Sequence, residues 1–166
     1  MGCDIHMHVE RYCDGLNKWV SADYFALLPE STLDNPKFSF IPIYDDRNYD
    51  LFGVLAGVRG SAVNNQIDEP RGLPKDVSDI VYEDYIGWDM DAHSCSYLTL
   101  RELIEFDMYD WDDSEEESHI LIPLIDRLKQ RADELHLIWD FCWSGRGRLE
   151  SLKKAEKIRI VFWFDN

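Results

Sequence analysis

The stretch Gly2-Cys3-Asp4-Ile5-His6-Met7-His8-Val9-Glu10-Arg11-Tyr12 alternates along its whole length. Cys3, Ile5, Met7 and Val9 fall on one parity and Asp4, His6, His8 and Glu10 on the other, the pattern of a half-buried β-strand whose successive side chains point to opposite faces. Asp14-Gly15 supplies a turn and Lys18-Trp19-Val20 begins a return strand, so residues 2–24 read as a β-hairpin. At the other end Lys157 to Asp165 alternates again, with Ile158, Ile160, Phe162 and Phe164 on one parity, and this terminal strand is expected to pair with the first.

Three helices are expected between them. Tyr49, Leu51, Phe52, Leu55, Ala56 and Val58 recur at helical spacing over about 48–58, with Gly57 and Gly60 as stop signals. Thr99 followed by Glu102 has the form of a capping box and opens a helix over about 99–109, with Leu100, Leu103, Ile104 and Met108 on one face. The third runs over about 119–142 on the stripe Ile122, Ile125, Leu128, Leu135, Ile138 and Trp139. Pro29, Pro36 and Pro42 predict an irregular connection over 29–46. Residues 60–97 read as a long loop, and such loops in compact domains often carry function. The sum is one α+β domain over 1–166: an antiparallel sheet holding the N-terminal hairpin and the C-terminal strand, with about three helices packed on one face.

The composition fits one core. The chain has 166 residues, against roughly 150 per domain, and is 45% hydrophobic and 13% aromatic. Its 17 basic and 33 acidic residues leave a net charge of -16, which repels phosphate backbones, so direct nucleic-acid binding is not expected. No apolar run is long enough to span a membrane and no signal segment opens the chain, so the expected location is the cytoplasm. Cys3, Cys13, Cys95 and Cys142 show neither CxxC pairs nor zinc-ribbon spacing and read as reduced structural thiols.

Three clusters could carry chemistry. The strand period sends Asp4, His6 and His8 to one side, where two imidazoles and a carboxylate can converge on a divalent ion, zinc among the candidates. The same face can also be a polar surface hydrogen-bonded to its neighbours. In Trp88-Asp89-Met90-Asp91-Ala92-His93-Ser94, His93 would add a ligand and Asp91 a ligand or general base for a metal-bound water, if the loop folds over the first strand. Arg47, Arg59 and Arg71 could clamp a phosphate or carboxylate, or pair with the abundant acids. Arg146 and Arg148 sit in a Gly-rich turn that lacks the ending of a P-loop. From Glu105 to Glu117 eight of thirteen residues are acidic, interleaved with aromatics, which reads as a solvated loop or as a mimic of a phosphate backbone for a basic protein partner.

Several segments together resemble a family of uncharacterised small proteins of bacteriophage and prophage genomes. They are Met1-Gly2-Cys3-Asp4-Ile5-His6 with Val9-Glu10, Arg47-Asn48-Tyr49-Asp50-Leu51-Phe52 with Leu55-Ala56-Gly57-Val58-Arg59, Pro70-Arg71-Gly72-Leu73-Pro74-Lys75-Asp76-Val77-Ser78, and Asp91-Ala92-His93-Ser94 leading to Leu98-Thr99-Leu100. Ala92 stands where the family pattern expects Gly. The resemblance implies a phage or bacterial origin, hence the host cytoplasm, and supplies no mechanism. The HxH strand does not fit a metal-dependent barrel hydrolase, which needs about 250 residues. His93-Ser94-Cys95 and His6-Met7-His8 lack the third-position hydroxyl of two-histidine phosphoesterases, and no G-x-S-x-G elbow is present. The expected function is a metal-dependent hydrolase of a phosphoester or nucleotide-like substrate. The alternatives are a non-catalytic pocket for a small anionic ligand and an acidic inhibitor of a basic partner.

Overall fold

The structure is a computed structural model that describes residues 2–60, 65–109, 120–138, 142 and 144–165. Its main sheet has four antiparallel strands in the order β2-β1-β6-β5, formed by β1 (Asp4–Cys13), β2 (Lys18–Ser21), β5 (His93–Thr99) and β6 (Ile158–Asp165). The two alternating stretches are its centre: β1 and β6 pair from Asp4 opposite Asp165 to Arg11 opposite Ile158. The hairpin is also as expected, with Tyr12 opposite Trp19 and Glu10 opposite Ser21.

The apolar parity faces the core. Ile5, Met7, Val9, Ile160, Phe162 and Phe164 are buried against α1 (Tyr49–Ala56), α3 (Leu100–Tyr109), α4 (Ile122–Glu134) and α5 (Gly145–Ala155). Asn48 caps α1 by accepting from the Asp50 and Leu51 amides, and Gly57, at a φ of 67°, closes it with its N–H on the Gly53 carbonyl. The capping box of α3 is formed in both directions. The Thr99 amide donates to Glu102 Oε2 at 2.7 Å and the Glu102 amide to Thr99 Oγ1 at 3.2 Å.

Several expectations are corrected. Residues 29–46 are not wholly irregular, because β4 (Phe38–Ile41) pairs with β3 (Tyr24–Leu27) in a two-stranded ribbon. Residues 60–97 contain α2 (Asp79–Gly87), a 3-10 turn at Asp89–Asp91 and β5. Helix α2 gave no periodic signal because Val81 is its one buried residue. Helices do not lie on one face alone: Val81 of α2 packs with Cys95, Val161 and Trp163 on the opposite face of the sheet. Five α-helices are described rather than three. The third expected helix ends at Glu134, since His136 takes a left-handed φ of 55°, and Arg146 and Arg148 ride on α5 rather than on a turn.

Most of the acidic run, residues 110–117, and Trp139 lie outside the described residues. No disulfide links Cys3, Cys13, Cys95 or Cys142, and burial pushes the Cys95 thiol up to about 12. No helix among the described residues is long and apolar enough to cross a membrane.

Candidate functional site

The polar parity of β1 is a docking strip for residues 76–91. Helix α2 and its flanks track the strand in the opposite direction: Ser78 donates its amide to Glu10 Oε1 at 2.6 Å, Asp84 meets His8, and Trp88 lies on His6 with ring centroids 3.9 Å apart. The helical spacing brings this about, because Asp84 and Trp88 are four residues apart and share one face of the segment. Asp4, at the open end of the strip, holds Arg47 in a bidentate pair at 2.7 and 2.7 Å.

His8 is the centre of the strip. Its Nδ1 is 2.9 Å from Asp23 Oδ2 and its Nε2 is 2.8 Å from Asp84 Oδ2. The ring is stacked on Phe40 at 4.4 Å and on Trp163 at 5.5 Å. The two carboxylates differ sharply, since the Asp23 side chain is 0% exposed and that of Asp84 is 45% exposed. Burial pulls the His8 imidazole down, but the hydrogen bonds and charges of Asp23 and then Asp84 outweigh it and leave the pKa above the usual histidine value. With an acceptor at each nitrogen, the imidazolium can donate from both, and this form persists to higher pH than in a free histidine.

Asp23 is fixed from three directions. Its Oδ1 accepts the Val9 amide at 2.6 Å, and its Oδ2 accepts the Ser21 hydroxyl at 3.0 Å. From α4, Arg131 donates to the carbonyls of Ala22 at 2.6 Å and Asp23 at 2.8 Å, with its guanidinium 4.1 Å from the Tyr24 ring centroid. A second buried network adjoins the first on the strip. Arg159 donates to Glu10 Oε2 at 2.7 Å and to Asp76 Oδ1 at 2.9 Å, and lies 4.0 Å from the Trp19 ring centroid.

The four expected metal ligands are not assembled. His6 joins His8 on the Trp163 face, but its Nε2 is 3.3 Å from Asp165 Oδ2 and its ring is covered by Trp88. Asp4 is held by Arg47. His93 is opposite Phe164 on β5, with β6 between it and β1, and its ring stacks on Phe164, a residue of the main core. The bulge between His93 and Ser96 gives His93 this orientation. Asp91 is exposed in the 3-10 turn. Among the described residues no group of three or more His, Cys, Asp or Glu is arranged to hold a metal ion. His8 Nε2 and Asp84 are two donors, one short of the three protein ligands usual in a catalytic zinc site.

The three arginines do not form one clamp. Arg47 is on Asp4, and Arg71 is on Glu102 at 2.6 Å, Asp68 at 2.8 Å and the Tyr97 carbonyl at 3.1 Å. Arg59 lies over the Tyr49 ring, 5.5 Å from its centroid.

Sequence reasoning missed Asp23, Asp84 and Arg131. Asp23 carried a weak signal, standing at the end of the expected return strand, two residues after Ser21. Asp84 carried none, because its helix has no amphipathic pattern. Comparison with known proteins finds no matching family model, no similar curated protein and no similar solved structure.

Proposed function

We propose that the protein is a hydrolase in which His8 is the general acid, held by Asp23, and Asp84 is the solvent-facing carboxylate that accepts a proton from the attacking water. The observation that carries this reading is the asymmetric pairing of one buried imidazole, 2.9 Å from a sealed carboxylate and 2.8 Å from an exposed one. A sealed partner fixes tautomer and orientation, while an exposed partner can be displaced by a substrate. When the substrate parts Asp84 from Nε2, the imidazolium is left with a proton to give to the departing oxygen. The raised pKa keeps the ring protonated to higher pH than in a free histidine, so the acid stays loaded over a wider pH range.

An uncharged ester suits this site better than a phosphoester. Asp23 and Asp84 flank the imidazole, Phe40 covers one of its faces, and Arg47 and Arg71 are engaged with carboxylates elsewhere. An anionic substrate would face two carboxylates, with only the imidazolium between them to offset their charge.

The experiment is hydrolysis of p-nitrophenyl acetate and butyrate beside p-nitrophenyl phosphate, with and without added divalent metal. Carboxylic esters are expected to turn over without metal, and Asp84→Asn to reduce kcat/KM by about 10²-fold or more while the protein stays folded. No turnover of any ester, or the same turnover in Asp84→Asn, would remove the proposal. Turnover of the phosphate alone, dependent on metal, would restore the metal-dependent reading in its place.

A further inference from the structure

One step along the strip from His8, a cavity of about 490 Å³ opens between the hairpin and the segment that leads into α2. That volume is within the range of small-molecule sites. Its apolar walls are Trp19, Val20, Val77 and Ile80, and its charged groups are Lys18, Asp76 and Asp79.

The chemistry of the walls bears on the occupant. Behind the cavity lies the Arg159 pair with Glu10 and Asp76, so Lys18 and Arg159 (+2) against Glu10, Asp76 and Asp79 (-3) leave one net negative charge, in a chain of -16. That field concentrates cations. Ser78 also lines the cavity, and its hydroxyl is buried with no hydrogen-bond partner among the described residues, although Ser78 stands at the N-cap of α2. A buried hydroxyl without a partner is costly, and an N–H donor can satisfy it as well as an acceptor can. Trp19 already carries one cation, Arg159, and Tyr12 packs edge-on to it at 5.5 Å. The amide end of α2 works in the opposite direction, since it favours anions, but Asp79 in the first turn offsets it.

We infer that this cavity binds a small organic ammonium, with its apolar body against Trp19, Val20, Val77 and Ile80 and its N–H groups on Asp79 and the Ser78 hydroxyl. This site is independent of the chemistry at His8. Phenethylamine and phenylacetate test it, because they share a ring and differ in the sign of their charge. In titrations followed by the Trp19 indole N–H resonance, assigned by its loss in Trp19→Phe, phenethylamine is expected to bind at least about tenfold more tightly than phenylacetate at low salt, the ratio shrinking as salt rises. Asp79→Asn, at an exposed position, is expected to remove most of that preference and Asp79→Glu to restore it, while Lys18→Gln leaves phenethylamine binding undiminished. Equal affinity for the two probes, a Trp19 resonance unmoved by phenethylamine, or a preference that survives Asp79→Asn would overturn the inference.

Discussion

The two faces of the central sheet are held by different physics. On one, Ile5, Met7, Phe162 and Phe164 join a large apolar core with four helices, and the attraction is non-directional, proportional to area removed from water. On the other, the same two strands present His6, His8, Glu10 and Arg159, and α2 with its flanks is fastened there by side-chain pairs of fixed geometry. Val81, Val161, Trp163 and Cys95 add a small apolar cluster. The apolar face should therefore respond to volume and be indifferent to pH. The polar face should respond to which partner is removed, and to protonation.

The largest test removes one member of a buried pair. Glu10 and Arg159 side chains are 0% and 4% exposed, so Glu10→Ala leaves a buried guanidinium short of its principal acceptor and should cost about 3–5 kcal/mol. Phe162→Ala on the other face should cost a similar amount, about 3–5 kcal/mol, through the cavity it leaves. Rescue separates the two. A double replacement, Glu10→Leu with Arg159→Met, should recover most of the loss because no charge is then stranded. Urea unfolding of the single and double variants measures this, and a double variant as unstable as Glu10→Ala would break the contrast between the faces.

A smaller effect is expected at His8, and it depends on pH. The native pKa is raised, so the His8 pairs contribute fully below the ordinary unfolded value of about 6.5, and that contribution is lost as pH rises through the native pKa. Chemical shift titration of the imidazole should place its midpoint above the ordinary value. Asp84→Asn should lower the midpoint and flatten the pH dependence of stability, while Leu128→Ala on the apolar face should lower stability by about 2–5 kcal/mol at every pH. An unshifted midpoint in Asp84→Asn would mean that Asp84 does not hold the proton. If the proposed chemistry holds, the alkaline limb of ester hydrolysis should follow the same midpoint in both proteins.

How much of this was legible in the sequence follows the same division. The apolar face was, because burial stamps a period on the chain: two for β1 and β6, near 3.6 for α1, α3 and α4. Tyr49, Leu51, Phe52, Leu55, Ile125, Leu128, Leu135, Ile138, Phe162 and Phe164, all on the expected stripes and parities, belong to one core or pack against it. The polar parity of β1 was legible as a stripe, but not its use. A carboxylate that meets His8 from 76 residues away leaves no local trace, and α2 is bound through single residues such as Asp84 and Trp88 rather than through an apolar face. The convergence expected of His93 failed for a related reason, since the bulge that turns it toward Phe164 is a tertiary feature.

The smallest effect is expected at the exposed end of the strip. Arg47 and Asp4 form a bidentate pair, but their side chains are 51% and 49% exposed, so the attraction is screened by water and salt. The Arg47 hydrogen bond holds the Asp4 carboxyl below the usual range, and whatever this contributes is present above the unfolded pKa and is lost as pH falls through the native one. Arg47→Met keeps the aliphatic stem and removes the charge, and at neutral pH and moderate salt it should leave the urea midpoint unchanged within error. A clear loss would show that the guanidinium matters, through its charge or through its contact with the start of the chain. A Cβ placed on Gly2 would come within 2.7 Å of Arg47 Nη1, so the guanidinium lies against the start of the chain. Gly2→Ala separates the two accounts: it should destabilise only if that contact matters, and it should do so equally at low and high salt.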